Sequence, residues 1–367
     1  MKKEELRTPK ILLEFETLRK NINGYQQLCD INSKEMWPMI KTHKSTEILK
    51  YQIQAGAKGV LCGTLDEAEA CCDMGIKNIM YAYPVASAEN ILRVVELSKK
   101  SDFIIRLDNY AGAEMINEIA QKNSAVINYT VIIDSGLHRF GVAPDRAVEF
   151  VKRLSELKNL KFKGISTHPG HVYGAGSYEE IARYTEDECT SLHIAKENLQ
   201  KAGFNVEIVS SGSTPTFEQA VKDKNINIYH PGNYVFYDVV QASLKVAKAD
   251  QCALKVYTTI ISQPAEDIFI CDAGAKCLGL DKGAHGNSLI SGYGAVAGHP
   301  ELVVDSLSEE VGKIKINGKT ELKVGDKIEV IPNHSCSTAN MTSYYTLVDK
   351  DRVIGTIDVD IRGNSKK

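Results

Sequence analysis

A single tryptophan and nine phenylalanines stand among 367 residues. That scarcity points to a core of mainly aliphatic side chains. No apolar run approaches the roughly 18 residues of a membrane span. The N-terminus, MKKEELRTPKILLEF, has neither a continuous apolar segment nor a small-residue cleavage site, so it makes a poor signal peptide. No C-x-x-C occurs, and the nine cysteines are odd in number and scattered. They read as reduced thiols of a cytoplasmic enzyme, not as a disulfide framework. Neither charge sign dominates: 44 Lys and Arg face 47 Asp and Glu, for a net charge of −3. Such a balance argues against a dedicated nucleic-acid or membrane-surface binder. Internal repeats and low-complexity stretches are also absent. What is present is ordinary globular composition, 43% hydrophobic and 25% charged. The length exceeds the roughly 100–200 residues of one domain, which predicts two domains or one large domain with a smaller one.

From residue 36 onward, short β-branched runs alternate with longer helical patterns. The runs are MWPMI (36–40), GVLCGT (59–64), IMYAYP (79–84), FIIRLD (103–108), VIIDSG (131–136), FKGISTHPG (162–170), VEIVSSG (206–212) and INIYHPG (226–232). Between them, stretches such as TEILKYQIQAG (46–56), SAENILRVVELSKK (87–100) and RAVEFVKRLSEL (146–157) repeat apolar residues at three- and four-residue steps, the mark of an amphipathic helix. Eight strand–helix units predict an α/β fold, a (β/α)8 barrel, with a doubly wound open sheet as the alternative. Near Lys245–Asp250 the texture changes to strand patterns split by turn signals, including Asn317-Gly318 and Gly325-Asp326. This predicts a smaller C-terminal β domain over 246–367 behind a barrel over 16–245, with Asn364–Lys367 as a frayed tail.

In a barrel, working residues gather at the C-terminal ends of strands. Lys41 ends the first run. There it is either a desolvated, nucleophilic amine or a snorkelling side chain, with Lys44 as the competing amine. After the seventh run comes SGSTPT, where Gly212, Ser213 and Thr214 offer N–H groups and hydroxyls suited to a phosphate, or simply cap a helix. The eighth run leads into HPGNY, with His230, Gly232 and Asn233. Loops after strands seven and eight often form a barrel's phosphate site. The fifth and sixth runs end with Asp134, Arg139, His168, His171 and Tyr173. Together they would place a cation and a flat ring at one rim, suited to a planar anionic cofactor. In the β domain, His334 and Cys336 are two apart. On an extended strand they would share a face, and both are good zinc ligands, although a catalytic zinc usually takes three protein ligands.

As a set, IKTHK around Lys41, IDSGLHRFGV around Arg139, HPG at the sixth strand, SGSTPT, HPGNYVFYD, DAG at 272–274 and PNHSC resemble the D-threonine aldolase/eukaryotic-type D-serine dehydratase family. The segments run in the family's order over roughly residues 8–340. These are alanine-racemase-like enzymes of pyridoxal 5'-phosphate (PLP). The resemblance implies a PLP-binding barrel, a β domain joined by the N-terminal strand within residues 1–15, and a homodimer. By motif it makes Lys41 the lysine that holds the coenzyme. Gly212, Ser213, Thr214, Gly232 and Asn233 become phosphate binders, and Arg139 the partner of the phenolic oxygen. His168 falls beside the ring, and Tyr173, from the sixth strand end, stands with it as a cofactor-binding candidate. His230 stands where alanine racemases carry the arginine of R-P-G that faces the ring nitrogen, and a weakly basic partner there would leave that nitrogen largely unprotonated. His334 and Cys336 resemble the metal pair. H-x-C is the dehydratase form and H-x-D the aldolase form, and a thiolate favours Zn²⁺ over Mn²⁺ or Mg²⁺. One departure is Glu309-Glu310-Val311-Gly312, where the family often shows E-E-H-G.

The resemblance therefore implies a PLP- and metal-dependent lyase acting on a small D-3-hydroxy amino acid. D-serine dehydratase is the first expectation and D-threonine aldolase the runner-up. An amino-acid racemase, which would need a second base such as Tyr293, and a non-enzymatic PLP carrier stand further off.

Overall fold

A computed structural model of the chain describes residues 1–283 and 287–362. The predicted frayed tail lies outside the described residues. A first strand, β1 (Lys10–Glu14), runs directly into α1 (Phe15–Ile31). Eight short strands follow: β2 (Glu35–Met36), β3 (Val60–Cys62), β4 (Asn78–Tyr81), β5 (Asp102–Leu107), β6 (Ile127–Ile132), β7 (Leu160–Ser166), β8 (Ile208–Ser211) and β9 (Ile228–Tyr229). All are parallel, in the order β2-β9-β8-β7-β6-β5-β4-β3. A bridge between Met39 and Leu61 brings β2 back to β3, so the sheet is a nearly closed barrel.

The crossovers are α2 (Thr46–Ala55), α3 (Leu65–Asp73), α4 (Ala88–Lys100), α5 (Tyr110–Lys122), α6 (Ala147–Leu154), α7 (Tyr178–Lys201) and α8 (Phe217–Ala220). Their starts are chemically marked. The side chains of Ser45, Thr64, Ser87, Asn109 and Ser177 each accept from the backbone N–H three residues on, which satisfies an amide that the helix itself leaves unpaired. α4 then buries Ile91, Val94, Val95 and Leu97 as one stripe.

The barrel differs from the sequence reading in three ways. The first strand is only two residues long, because Pro38 has no N–H to continue the ladder. Trp37 and Met39 still donate to Tyr229 and Pro231. The fifth barrel strand lies four residues earlier than VIIDSG suggested. There the Asp134 carboxylate accepts from the amides of Gly136 and His138 and turns the chain. α1 was not legible, yet it is anchored: buried Asn21 donates to the carbonyls of Val235 and Gln251. Nor is the core purely aliphatic. Tyr129, Tyr229, Tyr234 and Tyr345 are among its largest fully buried side chains, and Tyr25 stacks on both Phe217 and Tyr234 with centroids 4.4 Å apart. The 16 tyrosines supply the aromatic volume that Trp and Phe do not.

After α9 (Val239–Ser243) the chain turns to strands: β10 (Leu254–Ala265), β11 (Ile268–Cys271), β12 (Gly294–Val296), β13 (Leu302–Leu307), β14 (Gly312–Ile316), β15 (Lys327–Pro332), β16 (Tyr344–Asp349) and β17 (Arg352–Asp358). Among the described residues, α10 (Ala275–Leu278) and α11 (Ser335–Ala339) interrupt them. The sheet order is β11-β14-β13-β12-β15-β10-β1-β16-β17. β1 lies antiparallel to β10 and parallel to β16. The two turn signals at 317–318 and 325–326 do not build a hairpin. They mark a loop between β14, which pairs with β11 and β13, and β15, which pairs with β10 and β12. Among the described residues no helix is long and apolar enough to cross a membrane. All nine cysteines are unpaired.

Candidate functional site

The C-terminal ends of the barrel strands open into a cavity of about 760 Å³ roofed by the turn that holds α11. Lys41 sits in its wall on a 3-10 turn, Ile40–Thr42, just past β2. Its Nζ donates to the Tyr83 hydroxyl at 3.2 Å. Lys44, the competing amine, is buried and forms an ion pair with the fully buried Glu67, whose other oxygen accepts from the Gly63 amide at 2.6 Å. Lys44 is thus tied into the wall, whereas Lys41 meets a hydroxyl.

The loops after β8 and β9 lie against each other. A side chain on Gly212 would place its Cβ 2.5 Å from the His230 carbonyl carbon, and one on Gly232 would stand 2.9 Å from the Thr42 hydroxyl. Ser213 lines the cavity, with its hydroxyl 3.0 Å from that of Thr216. Thr214 is buried behind it, accepting from the Tyr234 amide. Asn233 also lines the cavity, its amide donating to Asp238 at 2.6 Å and to Ser335 at 2.9 Å. Beneath this rim the Ser211 hydroxyl donates to Glu188, a fully buried carboxyl in α7 that burial pushes up to about 7.

Two histidines border the floor. His168 Nδ1 donates to the Gly212 carbonyl at 2.7 Å. Burial, aided by Lys41, holds its pKa down at about 3. His230 Nδ1 donates to the Trp37 carbonyl at 2.8 Å, and its Nε2 is buried without a partner among the described residues. Burial and then Arg106 hold it well below the usual imidazole range. Tyr173 lines the same cavity and hydrogen-bonds Thr214. Arg139 also lines it but is exposed, its guanidinium 5.4 Å from the Phe140 ring centre and 5.9 Å from that of Tyr83. His171 is outside, edge-on to Tyr184 at 4.7 Å. Tyr293 is absent from the cavity lining, and Lys282 lies 5.3 Å from its ring centre.

His334 and Cys336 reach the cavity by a different route from the strand geometry expected. β15 ends at Pro332. His334 is extended, with φ −133°, and α11 begins at the next residue. A strand-to-helix turn, not one strand face, brings the two together, and their side chains hydrogen-bond. His334 Nδ1 bonds Asp281 Oδ2 at 2.6 Å. Burial opposes charge on this imidazole, but Cys336 and Asp281 push its pKa well up. Burial likewise opposes the Cys336 thiolate, yet His334 draws the thiol down. The hydrogen bond from His334 holds Asp281 at about 2. Asp238 joins the two motifs, accepting from Asn233 of the barrel and from the Ser335 amide of α11. Asn340 completes the seam by donating to the Lys41 and Thr42 carbonyls at 3.4 Å. Among the described residues no group of three metal-ligating side chains occurs.

The sequence reading missed several cavity residues. Arg106, flanked by apolar residues in the FIIRLD run, is 4% exposed and lines the floor. A charge inside a strand pattern was its signal. Tyr83 and Glu67 in the lining, and Asp281 behind His334, carried no signal of their own, because each acts through a partner distant in sequence.

Comparison with known proteins matches residues 13–239 to the alanine racemase N-terminal domain and residues 253–348 to a serine dehydratase domain. The D-serine dehydratase of Dictyostelium discoideum is 30% identical, with 95% of each chain covered. The D-threo-3-hydroxyaspartate dehydratase of Delftia sp. HT23 is 28% identical, and its solved structure superposes with a TM-score of 0.90 over 99% of each chain. Alanine racemase of Clostridium difficile 630, at 16% identity and a TM-score of 0.69, shares the fold. Matched by two profiles in succession and along nearly its whole length by dehydratases of D-amino acids, the chain belongs to the alanine-racemase-like family of PLP-dependent lyases.

Proposed function

We propose that the protein eliminates water from D-3-hydroxy amino acids, D-serine foremost, to give a keto acid and ammonia. Lys41 holds PLP, and His334 with Cys336 holds a divalent ion, Zn²⁺. The observation that carries this reading is the meeting of His334 and Cys336 in the wall of the cavity that also receives Lys41.

The residues present fit both groups. For the coenzyme there is an amine in the wall, a glycine-lined rim at 212 and 232 with the Ser213 hydroxyl, and two buried polar atoms without partners among the described residues, His230 Nε2 and Arg106 Nη2. For the ion there is a thiol drawn toward thiolate and an imidazole whose Nδ1 is occupied by Asp281. That is the arrangement in which a carboxylate orients a metal-binding histidine. Thiolate with imidazole suits Zn²⁺.

When bound, PLP supplies an electron sink at Cα, and the ion supplies a Lewis acid at the β-hydroxyl. The chain does the rest. Lys41 Nζ takes the Cα proton, and the Tyr83 hydroxyl positions that amine. The rim at 212–213 and 232 fixes the phosphate. His168, held neutral, packs by the ring without adding charge. The Asp238 and Asn340 contacts hold α11 over the cavity and keep the β-carbon's leaving hydroxyl beside His334 and Cys336.

The test is product identification with D-serine, D-threonine and D-threo-3-hydroxyaspartate, with and without EDTA. Pyruvate and ammonia from D-serine, lost on chelation, are expected. Glycine and an aldehyde would instead make the enzyme an aldolase.

A further inference from the structure

The hydroxyl of Thr42 meets the Cys336 sulfur at 3.3 Å. Thr42 is 1% exposed, ends the turn Ile40–Thr42 that carries Lys41, and lines the cavity. Cys336 belongs to α11 of the β domain, so the contact joins the two domains at the site itself. Gly232 leaves room for it, since a Cβ there would stand 2.9 Å from the same hydroxyl.

A thiolate is the form of cysteine that binds a metal, and it can only accept hydrogen bonds. The donors within reach of this sulfur can be counted. Asn233 Nδ2 lies 3.8 Å away, but its two hydrogens already go to Asp238 at 2.6 Å and Ser335 at 2.9 Å. His334 does hydrogen-bond Cys336. Its Nδ1 is engaged by Asp281, so the nitrogen left for the sulfur is Nε2. An ion held by both side chains takes that same nitrogen and ends the bond. Thr42 then remains as the one donor to the sulfur among the described residues. The hydroxyl has the matching need. Opposite a thiol it accepts, and its own hydrogen finds no acceptor among the described residues. Opposite a thiolate the direction reverses, and a buried donor is satisfied.

We infer that Thr42 is a positioning residue for the metal: its hydroxyl donates to the Cys336 thiolate, fixes the direction of the sulfur, and ties the ion to the turn that carries the coenzyme's lysine. The inference rests on the reading that His334 and Cys336 hold the ion. The effect is electronic as well as geometric. A hydrogen bond draws charge off the sulfur, so the ion receives less of it and stays the stronger Lewis acid.

The test loads the holoenzyme with Co²⁺ in place of Zn²⁺ and reads the thiolate-to-metal charge-transfer band in the near-ultraviolet, as the difference from metal-free holoenzyme. Zinc affinity is measured alongside by competition with a chromogenic chelator. Thr42→Val keeps the shape and removes the donor. It should move the band to longer wavelength, because the hydrogen no longer lowers the energy of the sulfur electrons, and weaken zinc binding by about 10-fold or more. Thr42→Ser keeps the hydroxyl and should restore both. If the valine variant does not fold, Thr42→Ala takes its place with the same expectations. A band that stays in place when the hydroxyl is removed overturns the inference, whatever the affinity does, and so does a serine variant that behaves like the valine one. A wild type whose Co²⁺ spectrum has no thiolate band overturns the underlying metal reading, and with it this one.

Discussion

Glu188 gives a sharp test of how the phosphate rim is supported. Its carboxyl is fully buried in α7 and accepts from Ser211, the residue before Gly212. Burial raises its pKa from 4.5 to about 7. In the unfolded chain the group loses its proton near 4.5, while the folded protein keeps it to about 7. Over that window the unfolded state binds fewer protons, so stability falls as pH rises. At about 1.4 kcal/mol per unit the loss is about 3 kcal/mol, complete above pH 7 and absent below pH 4.5. Glu188→Gln removes the ionisation and keeps the shape. With an unfolding entropy of about 2.1 cal/mol/K per residue, 3 kcal/mol corresponds to about 4 °C in a chain this long. Thermal midpoints should therefore be nearly equal at pH 5, and the variant should lead by about 4 °C at pH 8. A difference that does not change between these two pH values would refute the assignment of a buried, protonated carboxyl beneath the rim.

Other perturbations follow from the same contacts. Gly212→Ala sets a Cβ against the His230 backbone on a crowded side; overpacking of this kind costs about 1–3 kcal/mol, so a lower thermal midpoint and weaker coenzyme uptake are expected, and an unchanged protein would mean that the two loops do not touch. Lys44→Met strands the fully buried Glu67 carboxylate and should destabilise by about 3–5 kcal/mol, measured by denaturant midpoint. Adding Glu67→Leu should recover part of the loss, and a double variant no better than the single would show that the pair is not what matters. Exhaustive chelation should stop turnover while the coenzyme's visible band remains, and His334→Ala and Cys336→Ala should each lower bound zinc measured by elemental analysis. Full activity in metal-depleted protein would remove the role given to those two residues.

Much of the barrel was legible because each of its layers repeats one local rule: a β-branched run, a hydroxyl or amide cap, and an amphipathic stripe. Where the rule was bent, the reading slipped. Pro38 shortened the first strand, and the Asp134 turn moved the fifth. The β sheet was harder, since its neighbours are distant in sequence. β12, β13 and β16 went unseen, and Asn317-Gly318 mimicked a hairpin because a turn dipeptide says nothing about which strands meet. At the site, Lys41, Gly212, Ser213, His230, Gly232, His334 and Cys336 line one cavity, each having stood in a recognisable motif. Asn233 lines it too while its amide donates to Asp238, and Thr214 is buried behind Ser213. Arg106 was overlooked because a strand pattern is judged by its apolar members, and the charged exception was read as noise.

The placement of β1 governs the order in which the molecule can be completed. Its ladder partners, Val256 for Ile11 and Thr346 for Leu12, leave the ribosome more than 200 and 300 residues later. β1 must therefore wait, unpaired and apolar, until β10 has emerged to cover one edge and β16 to cover the other. Such distant closures slow folding and leave a strand edge open to the wrong neighbour. During synthesis the barrel can assemble first, but its roof cannot be stitched to its base until β16 has been made.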